Sequence, residues 1–233
     1  MKKLLSVLFA LVLAFGFLLG PGNVSSAADK EHFTPQELKE IKAKLLEIGV
    51  YKKDIPHLIN KLKKGEVWDS MNPSVVDKVP KEELTPTLDD PVKVYRFKDG
   101  SVIRNEVQKP DDSGMITPMS ARCGTGYCNF YGYTVSGSTG VISAFFKADF
   151  CINYGKYAAD HISKVYDKRI IVIGAGYTNS SLKIVRAYED TYEGRDAYAR
   201  LYFEVTGVQG WFTSGSYLRF YVGKDKYHAS HAF

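Results

Sequence analysis

From Cys123 onward the sequence reads as one strand after another. "YCNFYGYTV", "VISAFFKADFCINY", "RIIVIGAGY", "LKIVRAYEDTY", "AYARLYFEVTG" and "YLRFYVGKDKY" are rich in aromatic and β-branched residues, and "SGSTG" and "EGRD" punctuate them. Such residues suit a pleated, half-buried surface, and runs of this length at regular spacing predict an antiparallel sandwich or barrel. Fourteen of the sixteen tyrosines fall in this half. Only "YAADHISKVY" suggests a helical turn. An antiparallel β-sandwich, jelly-roll or Ig-like, is expected over 123–233.

The other half has a different character. "MKKLLSVLFALVLAFGFLLGPGNVSSAADKEH" carries two lysines, an apolar run, helix breakers and small residues, the pattern of a secretory signal peptide over 1–27. A secreted, extracellular protein is expected. The formal charge of +5 falls by two when Lys2 and Lys3 leave with that segment. So mild a balance does not indicate nucleic acid, though it permits weak attraction to an anionic envelope.

In "FTPQELKEIKAKLLEIGV" Thr34, Pro35 and Glu37 form a helix start, Leu38, Ile41, Leu45 and Ile48 a stripe, and Gly49 a stop. "KDIPHLINKLKKG" predicts a second helix, capped by Asp54, with Ile55, Leu58, Ile59 and Leu62 as its stripe and Gly65 as its end. Two helices of this length cannot bury their own stripes, so the pair must dock on something larger. Trp68, just beyond, is expected to be the aromatic anchor, with an exposed binding role as the alternative.

Residues 73–94, punctuated by four prolines, read as an extended wrap. "VKVYRFKDGSVIRNEV" alternates around Asp99-Gly100 and predicts a hairpin. Residues 105–122 read as a linker open to proteolysis. The chain is thus expected to be α+β: a helical hairpin, wrap and small β-hairpin over 28–104, the linker, then the sandwich.

Chemical signatures are few. Cys123, Cys128 and Cys151 predict one disulfide involving Cys128, with the partner open, and one leftover thiol. Without a C-x-x-C or a histidine at ligand spacing, zinc is not expected. Asp160 and His161 lack a nucleophile elbow and read as a hydrogen-bonding pair at a strand end. His228 and His231 lie in a tail expected to fray. "GAGYTNSS" lacks the rest of a dinucleotide fingerprint, and its glycines read as a turn or bulge. Glu189, Asp190 and Glu193 read as solvated residues flanking a turn. No catalytic residue, metal or cofactor is assigned. The binding candidates are aromatic: Trp68, Tyr131, Tyr133, Tyr188, Tyr192 and Trp211, which present rings to sugars or lipid headgroups. "VISAFF" reads as core rather than a membrane-inserting hairpin.

"KGEVWDSMNP", with the helices before it and "YRFKDGSVI" after it, resembles an N-terminal module of secreted Gram-positive proteins. The whole layout resembles the geobacillin-type large bacteriocins. That resemblance implies killing of related bacteria and supplies no catalytic residues to carry over. The expected function is therefore non-enzymatic antibacterial action on the envelope or membrane surface of target cells. The alternative is a secreted adhesion or carbohydrate-binding module with a tyrosine-rich face.

Overall fold

The structure, a computed structural model, describes residues 33–110, 120–155, 158–206 and 215–233. The expected signal segment, half of the expected linker (111–119) and Trp211 lie outside the described residues.

Helix α1 (Pro35–Glu47) starts as its sequence dictates: the Thr34 hydroxyl accepts from the Glu37 N–H, and the Glu37 carboxylate accepts from the Thr34 N–H. Helix α2 (Ile55–Lys63) differs at one point, because the Asp54 side chain makes no capping bond. The polypeptide then turns through a 3₁₀ segment (Asp69–Met71) and two single-turn helices, α3 (Pro73–Val76) and α4 (Lys81–Leu84). The expected extended wrap is therefore partly helical, with Pro73 at a first-turn position, where its missing N–H costs nothing.

Two antiparallel sheets follow. The first contains β1 (Val92–Arg96), β2 (Val102–Gln108), β3 (Ala121–Gly124), β4 (Tyr127–Ser138), β5 (Ile142–Asn153) and β6 (His161–Val172). The second contains β7 (Gly176–Arg186), β8 (Ala197–Thr206), β9 (Ser216–Gly223) and β10 (Lys226–Ala232). Beyond β3, which extends the β2 side of β4, neighbours follow one another along the chain. Three sequence expectations change here. Residues 105–108, read as the start of a linker, finish β2 and pair with β4, so the β1–β2 hairpin belongs to the main sheet. The "HASHAF" tail is not frayed: β10 pairs with β9 over its whole length. The turn suggested in "YAADHISKVY" is instead the start of β6.

The sheets pack face to face around aromatic rings. Phe150 of the first sheet lies 5.2 Å from Phe220 and 5.5 Å from Tyr227 of the second, edge to face, and stacks on Phe130 at 4.7 Å. "VISAFF" is core, as its composition suggests: Val141, Ile142, Ala144 and Phe146 are all buried.

The helical pair closes one end of this core. Leu45 of α1 and Ile48, the residue that caps its C-terminus, sit on the β4–β5 turn, where a Cβ on Gly140 would lie 2.6 Å from Leu45. Phe33 covers the β6–β7 turn, and a Cβ on Gly174 would come within 2.1 Å of its ring. Both glycines have positive φ, so conformation and space each require the absence of a side chain. Asp99, in the β1–β2 turn, accepts from Lys61 Nζ of α2 at 2.8 Å, from the Asp69 N–H at 3.0 Å and from the Ser101 hydroxyl at 2.6 Å. Burial pushes its carboxyl up, but Lys61 and these donors outweigh that, and the group lies below the usual aspartate range. Trp68 is 0% exposed and donates its indole N–H to the Leu58 carbonyl, so it is the anchor and not a binding residue.

Candidate functional site

Among the described residues helices cover one end of the sandwich, and the connections at the other end are placed where loops commonly carry function. They are the β3–β4 turn, the β5–β6 segment, the β7–β8 loop and the β9–β10 turn. Each is braced in a different way.

A disulfide braces the first. Cys123 and Cys128 are directly opposed on β3 and β4 and are joined, with Cα atoms 4.0 Å apart. Cys151 remains a free, buried thiol, and burial pushes its pKa up, with the Asp160 charge adding to the shift. A Cys128–Cys151 bridge is excluded by register. Cys128 is paired with Ile152 and Cys151 with Asn129, and successive residues of a strand face opposite sides.

Carboxylates brace the others, the buried Asp160 and the half-buried Glu189 and Asp190. The Asp160 oxygens accept from the N–H groups of Asn153 (2.7 Å) and Asp225 (3.0 Å), tying the end of β5 to the β9–β10 turn. Glu189 accepts from Lys224 N–H at 3.0 Å and Asp160 N–H at 3.4 Å. Asp190 and Arg195 exchange both main-chain hydrogen bonds and form a 2.7 Å ion pair. The residues read as solvated turn flanks thus hold the β7–β8 loop in one shape. Asp160 and His161 do not form the expected pair: the carboxylate is committed to main-chain donors, and the imidazole lies against the Tyr188 ring at 5.1 Å. Burial raises Asp160 to about 6, against the lowering effect of its two N–H donors, with Glu189 and Asp225 adding to the rise.

On these braced connections stand exposed rings. Tyr192, at the tip of the β7–β8 loop, is 98% exposed and Tyr188 is 62% exposed. Tyr127 and Tyr154, which the sequence reading missed, are also exposed; the Tyr127 ring lies over Gly124, its cross-strand partner. Their signal was position: one follows the "GTG" turn and the other comes directly after β5. Tyr131 is exposed further along β4.

Tyr133, expected beside it on the same face, is 6% exposed and in the core. The cause is a bulge between Phe130 and Tyr133, where Gly132 takes positive φ and its N–H is satisfied by Asp149 at 2.7 Å. The extra residue turns Phe130 and Tyr133 both inward. Tyr133 and Tyr227 then line a groove of about 820 Å³ at this end, together with Leu88, Val92, Val107 and Lys109. Burial pushes Tyr227 up to about 12, with smaller contributions from Tyr133 and Asp89.

The remaining sequence candidates lie elsewhere. His228 stacks on Tyr221 at 4.5 Å, and His231 is held by Asn105, so the two do not form a metal pair. Among the described residues, no group of three or more His, Cys, Asp or Glu side chains is placed to hold a metal ion, and no helix is long and apolar enough to cross a membrane.

No protein-family model matches the chain, and no curated protein does. Among solved structures, the chain is similar to a hypothetical protein of Listeria monocytogenes EGD-e at 14% identity and a TM-score of 0.35, over 64% of this chain and 94% of that one. That likeness is too slight to carry an argument. The fold and loops define the class: an α+β protein with a helix-capped, two-sheet antiparallel sandwich.

Proposed function

We propose that this is an exported, non-enzymatic binding module that holds a carbohydrate-bearing surface of the bacterial envelope with the tyrosines of its uncapped end. The observation that carries the reading is the placement of Tyr127, Tyr154, Tyr188 and Tyr192 on braced connections at one end, beside a groove floored by Tyr133 and Tyr227. Tyrosine rings offer sugars flat apolar faces and a hydroxyl, and rigid presentation lowers the ordering cost of binding. The sandwich itself we read as a double meander rather than a jelly-roll or Ig-like fold, since strand neighbours within each sheet follow the chain.

Binding to a glycan array and to isolated cell walls tests this reading. Tyr188→Ala and Tyr192→Ala together should remove retention while leaving the melting temperature unchanged. Retention at the parental level in the double variant would sink it.

A second reading, bacteriocin-like attack on the target membrane, draws support from the six exposed lysines of the helical cap: Lys39, Lys42, Lys52, Lys53, Lys63 and Lys64. The apolar stripes of those helices face the sandwich, so membrane insertion would need the cap to open. Growth inhibition accompanied by depolarisation of related bacteria would favour this second reading.

A further inference from the structure

A cavity of about 350 Å³ lies at the capped end, between the 70–77 segment, β2 and the ends of β9 and β10. Met71, Ile103, Tyr217 and Phe233 give it apolar walls. Two polar atoms on its lining are buried with no hydrogen-bond partner among the described residues: Ser70 Oγ, on a residue 1% exposed, and His231 Nε2. Orphaned polar atoms of this kind are rare, and each costs desolvation that an occupant would recover.

The state of His231 is set by its surroundings. The Asn105 amide nitrogen donates to the Leu84 carbonyl at 2.7 Å, so its oxygen faces His231 Nδ1 and that nitrogen must carry the proton. Burial lowers the pKa to about 3, so the ring is neutral at ordinary pH. Nε2 is then a pure acceptor. Gly137 lies against the Nδ1 edge, where a Cβ would sit 2.6 Å away, and Phe233 stacks on the ring at 4.1 Å, so the imidazole is fixed in this orientation.

We infer that this cavity is a small-molecule site, separate from the tyrosine end, for a compact ligand with an apolar body and one hydrogen-bond-donating head group, a hydroxyl or a primary amine. His231 Nε2 accepts from that head, and the Ser70 hydroxyl, able to give or take, completes it. Among the described residues, the one charged residue of the lining is Asp77, an acid. An anionic ligand is therefore disfavoured, and an amine gains where a hydroxyl does not.

Four molecules of nearly equal shape test this: benzyl alcohol, benzylamine, toluene and benzoate, each titrated into the purified protein. Binding is read by calorimetry and by the nitrogen resonances of His231. The alcohol, the amine or both should bind at least tenfold tighter than toluene and benzoate, and the stronger of the two identifies the head group. Binding should shift His231 Nε2. Ser70→Ala should weaken it roughly three- to tenfold, the worth of one hydrogen bond, without lowering the melting temperature, because it removes an unsatisfied hydroxyl. If Ser70→Ala fails to fold, the ligand series on the parental protein decides alone. Toluene binding as tightly as the two donors, benzoate binding best, or no shift at His231 with any of the four would overturn the inference and leave a water-filled or apolar gap.

Discussion

The indole N–H of Trp68 donates to the main-chain oxygen of Leu58 at 2.9 Å, so the residue that leaves the helical hairpin also reaches back into its second helix. The ring is in the main core, and it latches the cap to the sheets. Trp68→Ala should cost about 3–5 kcal/mol. Trp68→Phe keeps much of the packing and loses only the hydrogen bond to the Leu58 carbonyl, at about 1 kcal/mol. Urea unfolding of the two variants measures the difference.

Gly140 and Gly126 separate backbone strain from crowding. Both have positive φ, but a Cβ at Gly126 meets nothing within 4 Å, whereas at Gly140 it meets Leu45. Gly126→Ala should cost about 1 kcal/mol, the price of the backbone conformation alone. Gly140→Ala should cost about 1–3 kcal/mol more, since the core must shift to admit it. Thermal melts of the pair give the comparison, and equal losses would refute the seating of α1 on the β4–β5 turn.

Reduction of the disulfide should remove about 2 kcal/mol, little because the closed loop is short. Reoxidation should restore only Cys123–Cys128, because the Cys151 thiol is on the other side of the sheet. Peptide mapping after reoxidation, and alkylation of Cys151 only on unfolding, check both statements.

Two buried groups pull the pH dependence in opposite directions. Asp160, raised from 3.8 to about 6, binds its proton more tightly in the fold, so its contribution to stability falls as pH rises from about 4 to 6. His231, lowered from 6.5 to about 3, binds its proton more tightly when unfolded, so its contribution grows over the same range. The two offset each other. Asp160→Asn should unmask the histidine: whatever its absolute cost, the variant should lose stability on acidification from pH 6 to pH 4 more steeply than the parent. Unfolding free energies at four pH values across that window provide the test.

What was legible in the sequence was local. Thr34, Pro35 and Glu37 specify the start of α1 because every group involved lies within four residues, and Asp99-Gly100 specifies its hairpin for the same reason. The Cys123–Cys128 choice was open because it depends on β3–β4 register, which no spacing reveals. Tyr133 was misplaced because one glycine inserts a bulge that inverts the alternation after it. The pairing of 105–108 with β4 and the burial of His231 depend on contacts between distant parts of the chain, whereas Asp54 fails as a cap because its own backbone is already helical. The uncapped end was half legible: Tyr188 and Tyr192 stand out by composition, but Tyr127 and Tyr154 join them only through strand direction.

The double meander has a consequence for the order of assembly. Nearly every strand pairs with its predecessor, so each sheet can zip from its own turns with short loops to close. The contacts that cannot form early are those between the sheets, and the longest join β10 to β2, where His231 meets Asn105 across 126 positions of chain. Closure of that seam is then the late event of folding, and the imidazole of His231 is its natural clock.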